Sequence, residues 1–371
     1  MKASLHLPLE TITPTADTRT FSAVLQAWSA VHPRPMPWRG ERDAYRVWLS
    51  EIILQQTRVA QGLPYYERFL AAYPRVIDLA AAPAEEVMRC WQGLGYYSRA
   101  RNLHAAAKYI ADTLNGTFPS TYEDIRALRG VGDYTAAAIA SFAYNLPYAV
   151  VDGNVYRVLS RLFGIATPID STAGKREFAA LANAVLDPHN AAAHNQAFMD
   201  FGATCCTPAA PACPRCPFVD SCVAFRQNKV PNLPVKAKKM ATKIRYFNYF
   251  IFGNGQQIWL QKRGAGDIWQ DLHQFPMIET EAACEVADLA QNPEWQLFFG
   301  ESQLRIESVF VATQQLTHQT IKAKFYTVEN NFTNILPKNN AYFLIKPKNI
   351  ANFALPKIIT TYFENRTLSL F

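Results

Sequence analysis

The sequence predicts a mostly helical N-terminal region over residues 21–227 and an α+β domain over residues 244–371. Three observations predict it. From Phe21 to about Phe225 apolar residues recur at three and four, the period of a helix face. After Ile244 the pattern changes to short runs rich in aromatic and β-branched residues, as strands require. Between the two, Asn228–Lys243 (NKVPNLPVKAKKMATK) carries two prolines, five lysines and little apolar content, which reads as a linker over 228–243. Its lysines suit either a phosphate backbone or plain solvation.

In chain order, residues 1–20 are rich in Thr and Pro and read as a flexible tail. Helical periodicity follows in Phe21–Trp28, Tyr45–Leu54, Ala84–Trp91, Leu103–Leu114, Thr135–Phe142 and Phe178–Leu186. Clusters at Pro33–Pro37 and Gly116–Pro119, and Pro188, separate some of them. No strand is predicted before the linker. Beyond it, Ile244–Phe252, Gln257–Gln261, Arg305–Val311, Ile321–Val328 and Tyr342–Ile345 read as strands, with helices at Glu281–Leu289 and Ile358–Phe363.

A chain of 371 residues is long enough for two cores, and 49% hydrophobic content excludes a disordered protein. The net charge of +7 favours a polyanionic partner without requiring one. The cysteine count is seven, and most crowd into one stretch, which speaks for a metal centre rather than a secreted disulfide scaffold. Neither a signal peptide nor a membrane-spanning run is legible, so a soluble, intracellular protein is expected.

Three motifs carry candidate chemistry. Gly130-Val131-Gly132 ends one helical stretch and begins another, which suits a hairpin between helices. The unpaired N–H groups of the second helix can hold a phosphate, although taken alone the GVG reads first as an ordinary helix–helix turn. About twenty residues on, Asp152 follows an apolar run and precedes a helix start in VVDGNV; alone it reads as an N-cap. Cys206, Cys213, Cys216 and Cys222 stand as C-x6-C-x2-C-x5-C, a spacing that can close around one metal or cluster. Zinc and iron–sulfur both remain open on ligand type, and the adjacent Cys205 leaves the register open by one. Cys90 and Cys284 read as buried apolar residues.

Taken together, the GVG hairpin, the Asp in VDGNV and the cysteine run resemble the helix-hairpin-helix DNA glycosylases that carry a [4Fe–4S] cluster. Within that superfamily the chain is similar to the adenine DNA glycosylases. Ser50-Glu51-Ile52-Ile53-Leu54-Gln55-Gln56-Thr57 resembles that family's SE-x-x-LQQT motif, Met36-Pro37-Trp38-Arg39 its PWR, and Gly93–Arg99 its GLGYYSR. Asn195-Gln196-Ala197 and Gly202-Ala203 resemble the run before the cluster; Ile268-Trp269 and Phe275-Pro276 resemble the IW and FP of a Nudix-like domain. The resemblance covers nearly the whole chain after residue 20, closely in the first domain and weakly in the second.

The resemblance implies a six-helix barrel module over about 40–150 and a cluster module from 21–39 and 151–227. It implies double-stranded DNA with adenine opposite 8-oxoguanine or guanine as substrate, no membrane, a monomer, and a bacterial cytoplasmic, nucleoid-associated location. Glu51, within an apolar helical run, would be desolvated and suited to protonate the leaving base; Asp152 would stay ionised and stabilise the sugar cation. Tyr134 and Asn154 would position Asp152 and the water. A base inside a duplex must be flipped out, with Leu54, Gln55, Gln56 and Tyr96 filling the gap and probing the opposite base. Arg39, Thr57, Gln196 and the Gly130, Val131, Gly132 hairpin would also contact DNA. Cys206, Cys213, Cys216 and Cys222 would hold the [4Fe–4S] cluster.

Two departures stand out. Where the family's lesion-reading loop often carries Phe-Ser-His, this chain aligns Leu316-Thr317-His318. Tyr134 occupies the slot that holds a Schiff-base Lys in the bifunctional endonuclease relatives, and no Lys lies between Gly130 and Val158. The first rival reading is a glycosylase with lyase activity; the second is a catalytically silent DNA-binding protein with a structural metal. The Glu-rich stretch of active Nudix hydrolases is missing, so no diphosphate hydrolysis is expected.

Overall fold

The computed structural model describes residues 16–237, 242–253, 256–300, 304–329 and 342–365. The helices before the linker are α1 (Ala16–Val31), α2 (Ala44–Leu54), α3 (Val59–Ala72), α4 (Val76–Ala81), α5 (Ala84–Trp91), α6 (Ser98–Thr113), α7 (Tyr122–Ala127), α8 (Asp133–Tyr144), α9 (Gly153–Phe163), α10 (Thr172–Val185), α11 (Ala191–Thr204) and α12 (Val223–Arg226). After it come β1 (Lys243–Ile251), β2 (Ile258–Lys262), β3 (His273–Gln274), β4 (Met277–Thr280), α13 (Val286–Leu289), α14 (Pro293–Phe299), β5 (Ile306–Gln315), β6 (Gln319–Val328), β7 (Tyr342–Ile345) and α15 (Lys357–Asn365). Among the described residues no helix is long and apolar enough to cross a membrane.

The chain forms two compact units: residues 1–80 with 105–238, and residues 81–104 with 239–371. In the first, α1, α9, α10 and α11 bury Phe21, Leu25, Leu159, Phe178, Phe198 and Phe201 around one core. A smaller cluster joins Ala137 and Ala138 of α8 to Val150. Alanines here let helices approach closely, so α8 passes near its neighbours with little side-chain bulk between them. In the second unit β4-β1-β6-β5 form one sheet, with β1 and β6 parallel and the other pairs antiparallel. A second sheet is β3-β2-β7. Phe250, Trp259, Trp295, Phe298 and Tyr326 fill a core there.

Three sequence expectations are corrected. The helix of Phe21–Trp28 starts at Ala16, inside the predicted tail of residues 1–20. Nothing after Pro14 breaks it, and the buried Phe21, Leu25 and Trp28 anchor its inner face. Residues 1–15 lie outside the described set. The predicted linker 228–243 is packed at its start: Leu233 is buried in the first unit's core. Arg161 Nε donates to the carbonyls of Val230 and Leu233, and Ile169 N to that of Val235. The lysines dominated the sequence pattern, while Val230, Leu233 and Val235 between them do the packing. Glu281–Leu289 is helical only over Val286–Leu289, where Glu285 and Asp288 form a capping box that starts the helix late.

Candidate active site

Glu51 lies in the last turn of α2, a helix buried on nearly every side, with Trp48, Ile52 and Ile53 buried beside it. Only 7% of it is exposed. The Tyr134 hydroxyl, on the first turn of α8, donates a hydrogen bond to the Glu51 Oε2 at 2.9 Å. Burial pushes the Glu51 carboxyl up to about 7; the Tyr134 bond opposes this and the nearby Asp152 charge adds to it. The Tyr134 hydroxyl is itself raised well above its ordinary value, first by burial.

Asp152 is the N-cap of α9. Its Oδ1 accepts from the backbone N–H of Asn154 and Val155, both at 2.8 Å, and its Oδ2 from Asn154 Nδ2 at 2.7 Å. Burial raises its pKa, while these three donors and the Arg157 charge oppose the rise. The capping and chemical readings of Asp152 are therefore compatible, since the same carboxyl also lines a cavity of about 480 Å³ with Glu51. Two carboxyls facing one cavity repel when both are charged. Asp152 receives three donors and Glu51 one, so a shared proton belongs on Glu51.

Leu54, Thr57, Arg39, Asn154 and Gln196 line the same cavity. The Arg39 guanidinium pairs with buried Asp200, which also holds Arg34 at 3.3 Å. Gln55 Nε2 donates to Thr135 Oγ1 at 3.1 Å, which ties the end of α2 to α8. Gln56 has φ 56°, in the left-handed region, and closes a turn in which Thr57 N reaches the Leu54 carbonyl. At the hairpin between α7 and α8, Gly130 has φ 82°, Val131 is buried and Gly132 caps α8 without a side-chain partner for its first N–H groups. Sequence reasoning assigned Tyr134 to positioning Asp152; its hydroxyl bonds to Glu51 instead.

Cys206, Cys213, Cys216 and Cys222 line one small cavity with Cys205, Leu162, Phe201 and Val219. All are free thiols. Among the described residues no three His, Cys, Asp or Glu side chains are gathered as a single-ion site. Arg157 joins this loop to the carboxylate site. Its Nε donates to the Cys206 carbonyl at 2.8 Å, and its Nη2 to Asn154 Oδ1 at 2.8 Å and the Gly202 carbonyl at 2.7 Å. Arg161, 3% exposed, donates to the carbonyls of Thr207 and Pro208 and lies 3.5 Å from Cys206 Sγ. Its described partners include no carboxylate, and a buried cation without a counter-charge is costly. An anionic thiolate-held group beside it would supply that charge, so the residues fit such a group.

In the second unit Leu316-Thr317-His318 form the tight connection between β5 and β6, closed by Leu316 N to the Gln319 carbonyl at 2.8 Å. The Thr317 hydroxyl meets the Tyr96 hydroxyl at 2.6 Å. Tyr96 is 48% exposed with φ 48°. These residues, with Trp269 and Lys357, line a cavity of about 550 Å³. The structure thus gathers most of the predicted site residues into three groups, the carboxyl cavity and the cysteine cavity in the first unit and the Tyr96–Thr317 cavity in the second. Sequence reasoning missed Asp200, Arg157 and Arg161. Arg157 had a legible signal, one helical turn beyond Asn154 on the same face; Asp200 had none.

Residues 49–183 match the profile of the HhH-GPD superfamily base excision DNA repair proteins, and residues 248–365 that of the NUDIX domain. Adenine DNA glycosylase of Buchnera aphidicola subsp. Schizaphis graminum is 32% identical over 262 residues, 70% of this chain and 76% of that protein. The adenine DNA glycosylase of Mus musculus is 42% identical over 229 residues, 59% of this chain and 44% of the relative. Among solved structures, a thermostable thymine-DNA glycosylase superposes with a TM-score of 0.54 at 27% identity, over 58% of this chain and 100% of that one.

Proposed function

The chain belongs to the adenine DNA glycosylase family and is a base-excision-repair enzyme that acts on DNA; we propose that it removes adenine mispaired with 8-oxoguanine or guanine, with base flipping and without a lyase step. The observation that carries this reading is the pair of unlike carboxyls on one cavity: Glu51, protonated near neutrality, and Asp152, bound by three donors. Hydrolysis of an N-glycosidic bond asks for a proton on the leaving base and an anion beside the oxocarbenium-like sugar. Glu51 gives its proton to the departing adenine. Asp152 faces the cation that develops, and Asn154 holds the Asp152 oxygen in place. Tyr134 orients Glu51. With Tyr134 in place of a Lys, the site has no amine there to form a Schiff base, which favours simple hydrolysis.

A duplex base reaches a buried carboxyl only after rotating out of the stack. Leu54, which lines this cavity, and the following Gln55 and Gln56 are the proposed gap-fillers, with Thr57 a proposed DNA contact. The free N–H groups at the start of α8, beside Gly130–Gly132, are the proposed phosphate contact. Arg39 acts with Gln196 at the cavity mouth; its pairing with Asp200 fixes its direction. Cys206, Cys213, Cys216 and Cys222 are the proposed ligands of a [4Fe–4S] cluster. That group supplies a rigid anionic cross-link for the loop, and its charge offsets Arg161. The spacing has one C-x2-C pair, Cys213 and Cys216, where zinc sites usually show two, which favours a multi-iron group over a lone zinc. Residues 21–227 are read as the catalytic region, 228–243 as its link and 244–371 as the lesion-reading domain. The DNA substrate suits an intracellular place of action and a monomer.

Discrimination of 8-oxoguanine from guanine is assigned to Thr317 and His318, whose hydroxyl and imidazole face the same cavity as Tyr96. Such polar contacts are worth roughly 1–3 kcal/mol by analogy with base-edge readout. Single-turnover adenine release is to be measured on both duplexes with wild type and Thr317→Ala/His318→Ala. The expected result is a preference for the 8-oxoguanine duplex that falls by about tenfold in the variant. An unchanged preference would remove the turn from the reading.

A further inference from the structure

The connection between α8 and α9, residues 145–152, is neither helix nor strand, and it ends on Asp152. Its backbone N–H and C=O groups therefore need partners from elsewhere. Over residues 148–150 side-chain amides supply them. Asn195, on α11 and 1% exposed, accepts from Val150 N at 3.0 Å through Oδ1 and donates to the Tyr148 carbonyl at 2.8 Å through Nδ2. Its second amide hydrogen goes to Ser141 Oγ on α8, also at 2.8 Å. Asn183, exposed on α10, accepts from Ala149 N at 3.1 Å through Oδ1. Two amides from two helices thus hold three successive residues. The Val150 side chain packs against Ala137 and Ala138 of α8, and the Tyr148 ring stacks on Tyr122 at 4.2 Å. An asparagine needed only to join two helices has no reason to direct two of its three bonds to a connecting segment.

We propose that Asn195, assisted by Asn183, is a positioning residue for Asp152. The inference rests on the role given to Asp152 above. The three donors to Asp152 belong to its own turn: the N–H groups of Asn154 and Val155 and the Asn154 side chain. They orient the carboxyl on α9 without setting where the first turn of α9 stands. That place depends on the residues that lead into it, which the two amides hold. Asn195 directly precedes Gln196, which lines the carboxyl cavity, so α11 supplies both a wall of the cavity and the clamp on the chain that enters it. Without the clamp, Tyr148 and Val150 lose their fixed partners and the carboxyl is free to drift from the sugar. A misplacement of about 1 Å at a reacting group costs up to about a hundredfold in rate.

The test uses the full chain in a single turnover on an adenine:8-oxoguanine duplex, with protein in saturating excess over DNA. Wild type, Asn195→Ala, Asn183→Ala and Ser141→Ala are compared, and DNA affinity is measured separately. At saturation the rate constant does not depend on how much of the protein is folded, so a loss of stability alone leaves it unchanged. Asn195→Ala is expected to slow adenine release by about tenfold to a hundredfold, with DNA affinity within about threefold of wild type. Ser141→Ala removes a bond from the same amide and leaves both bonds to the connection, so its rate constant should stay within about twofold of wild type. A wild-type rate constant in Asn195→Ala, or an equal slowing in Ser141→Ala, would overturn the proposal. Should Asn195→Ala fail to fold, Asn183→Ala decides, because its side chain lies at the surface. It should slow release by about threefold or more, and a wild-type rate constant there would overturn the clamp. A wild type that releases no adenine would instead overturn the reading of Asp152, and the positioning role with it.

Discussion

Glu51 keeps its proton near neutrality because of where it sits. Its neighbours in α2 are apolar, and one hydroxyl reaches it, so its carboxyl is held near 7. A general acid works only while protonated. The rate of base release should therefore fall as pH rises through about 7, and fall again at low pH as Asp152, whose pKa burial raises, takes up a proton. Tyr134→Phe removes the one bond that favours the charged form. The Glu51 pKa then rises, and the high-pH limb should move to higher pH by about half a unit to one unit. A limb that stays put, or moves down, would separate Tyr134 from Glu51. The same shift has a sign for stability. The folded pKa is raised, so the contribution of the Glu51 proton is fully present below the ordinary value of 4.5 and is lost as pH rises through about 7. Glu51→Gln should accordingly melt higher than wild type at pH 8, by about 1–3 kcal/mol of stability, with little difference at pH 4. The sequence made Glu51 and Asp152 legible as candidates because their motifs are local. It could not give the partner of Tyr134, because the two hydrogen-bonded residues lie in different helices.

At the scale of elements, the start of α9 is set against α11. Gly202 lets them meet: a Cβ there would stand 2.6 Å from Asn154 Cβ and 3.2 Å from its Cα. Backbone cannot yield as a flexible side chain can, so Gly202→Ala must move the first turn of α9, which carries Asp152 and Asn154. The Arg157 bond to the Gly202 carbonyl would shift with it. Single-turnover base release should fall by about tenfold to a hundredfold with DNA binding close to wild type. Wild-type rates in this variant would mean that the α9–α11 contact does not hold the carboxylate. The helices with strong periodicity, such as α5, are legible. Others are not, for physical reasons. The start of α11 and much of its length are buried on more than one face, which erases the amphipathic period, and α3 carries Pro64 inside it. The short β3 and β4 are fixed by pairing with β2 and β1 rather than by their own sequence.

For the whole molecule, the change of period near residue 244 was enough to divide the chain into a helical region and an α+β region. What composition concealed is that residues 81–104 group with the C-terminal residues in one compact unit. Arg101 reaching the Gln270 carbonyl at 2.8 Å and Tyr97 reaching that of Leu355 at 3.3 Å are tertiary contacts with no local signature. They lie on the stretch that carries Tyr96, so the GLGYYSR run serves the Thr317 turn as much as its own helix. The central claim concerns the carboxyl pair, and one measurement reaches it directly. Adenine release and strand scission are followed in a single turnover on an adenine:8-oxoguanine duplex, with wild type, Glu51→Gln and Asp152→Asn. The account predicts release without scission by wild type, and tight binding with release slowed by about a thousandfold or more in both variants. Scission in step with release, or release at the wild-type rate by Glu51→Gln, would contradict it.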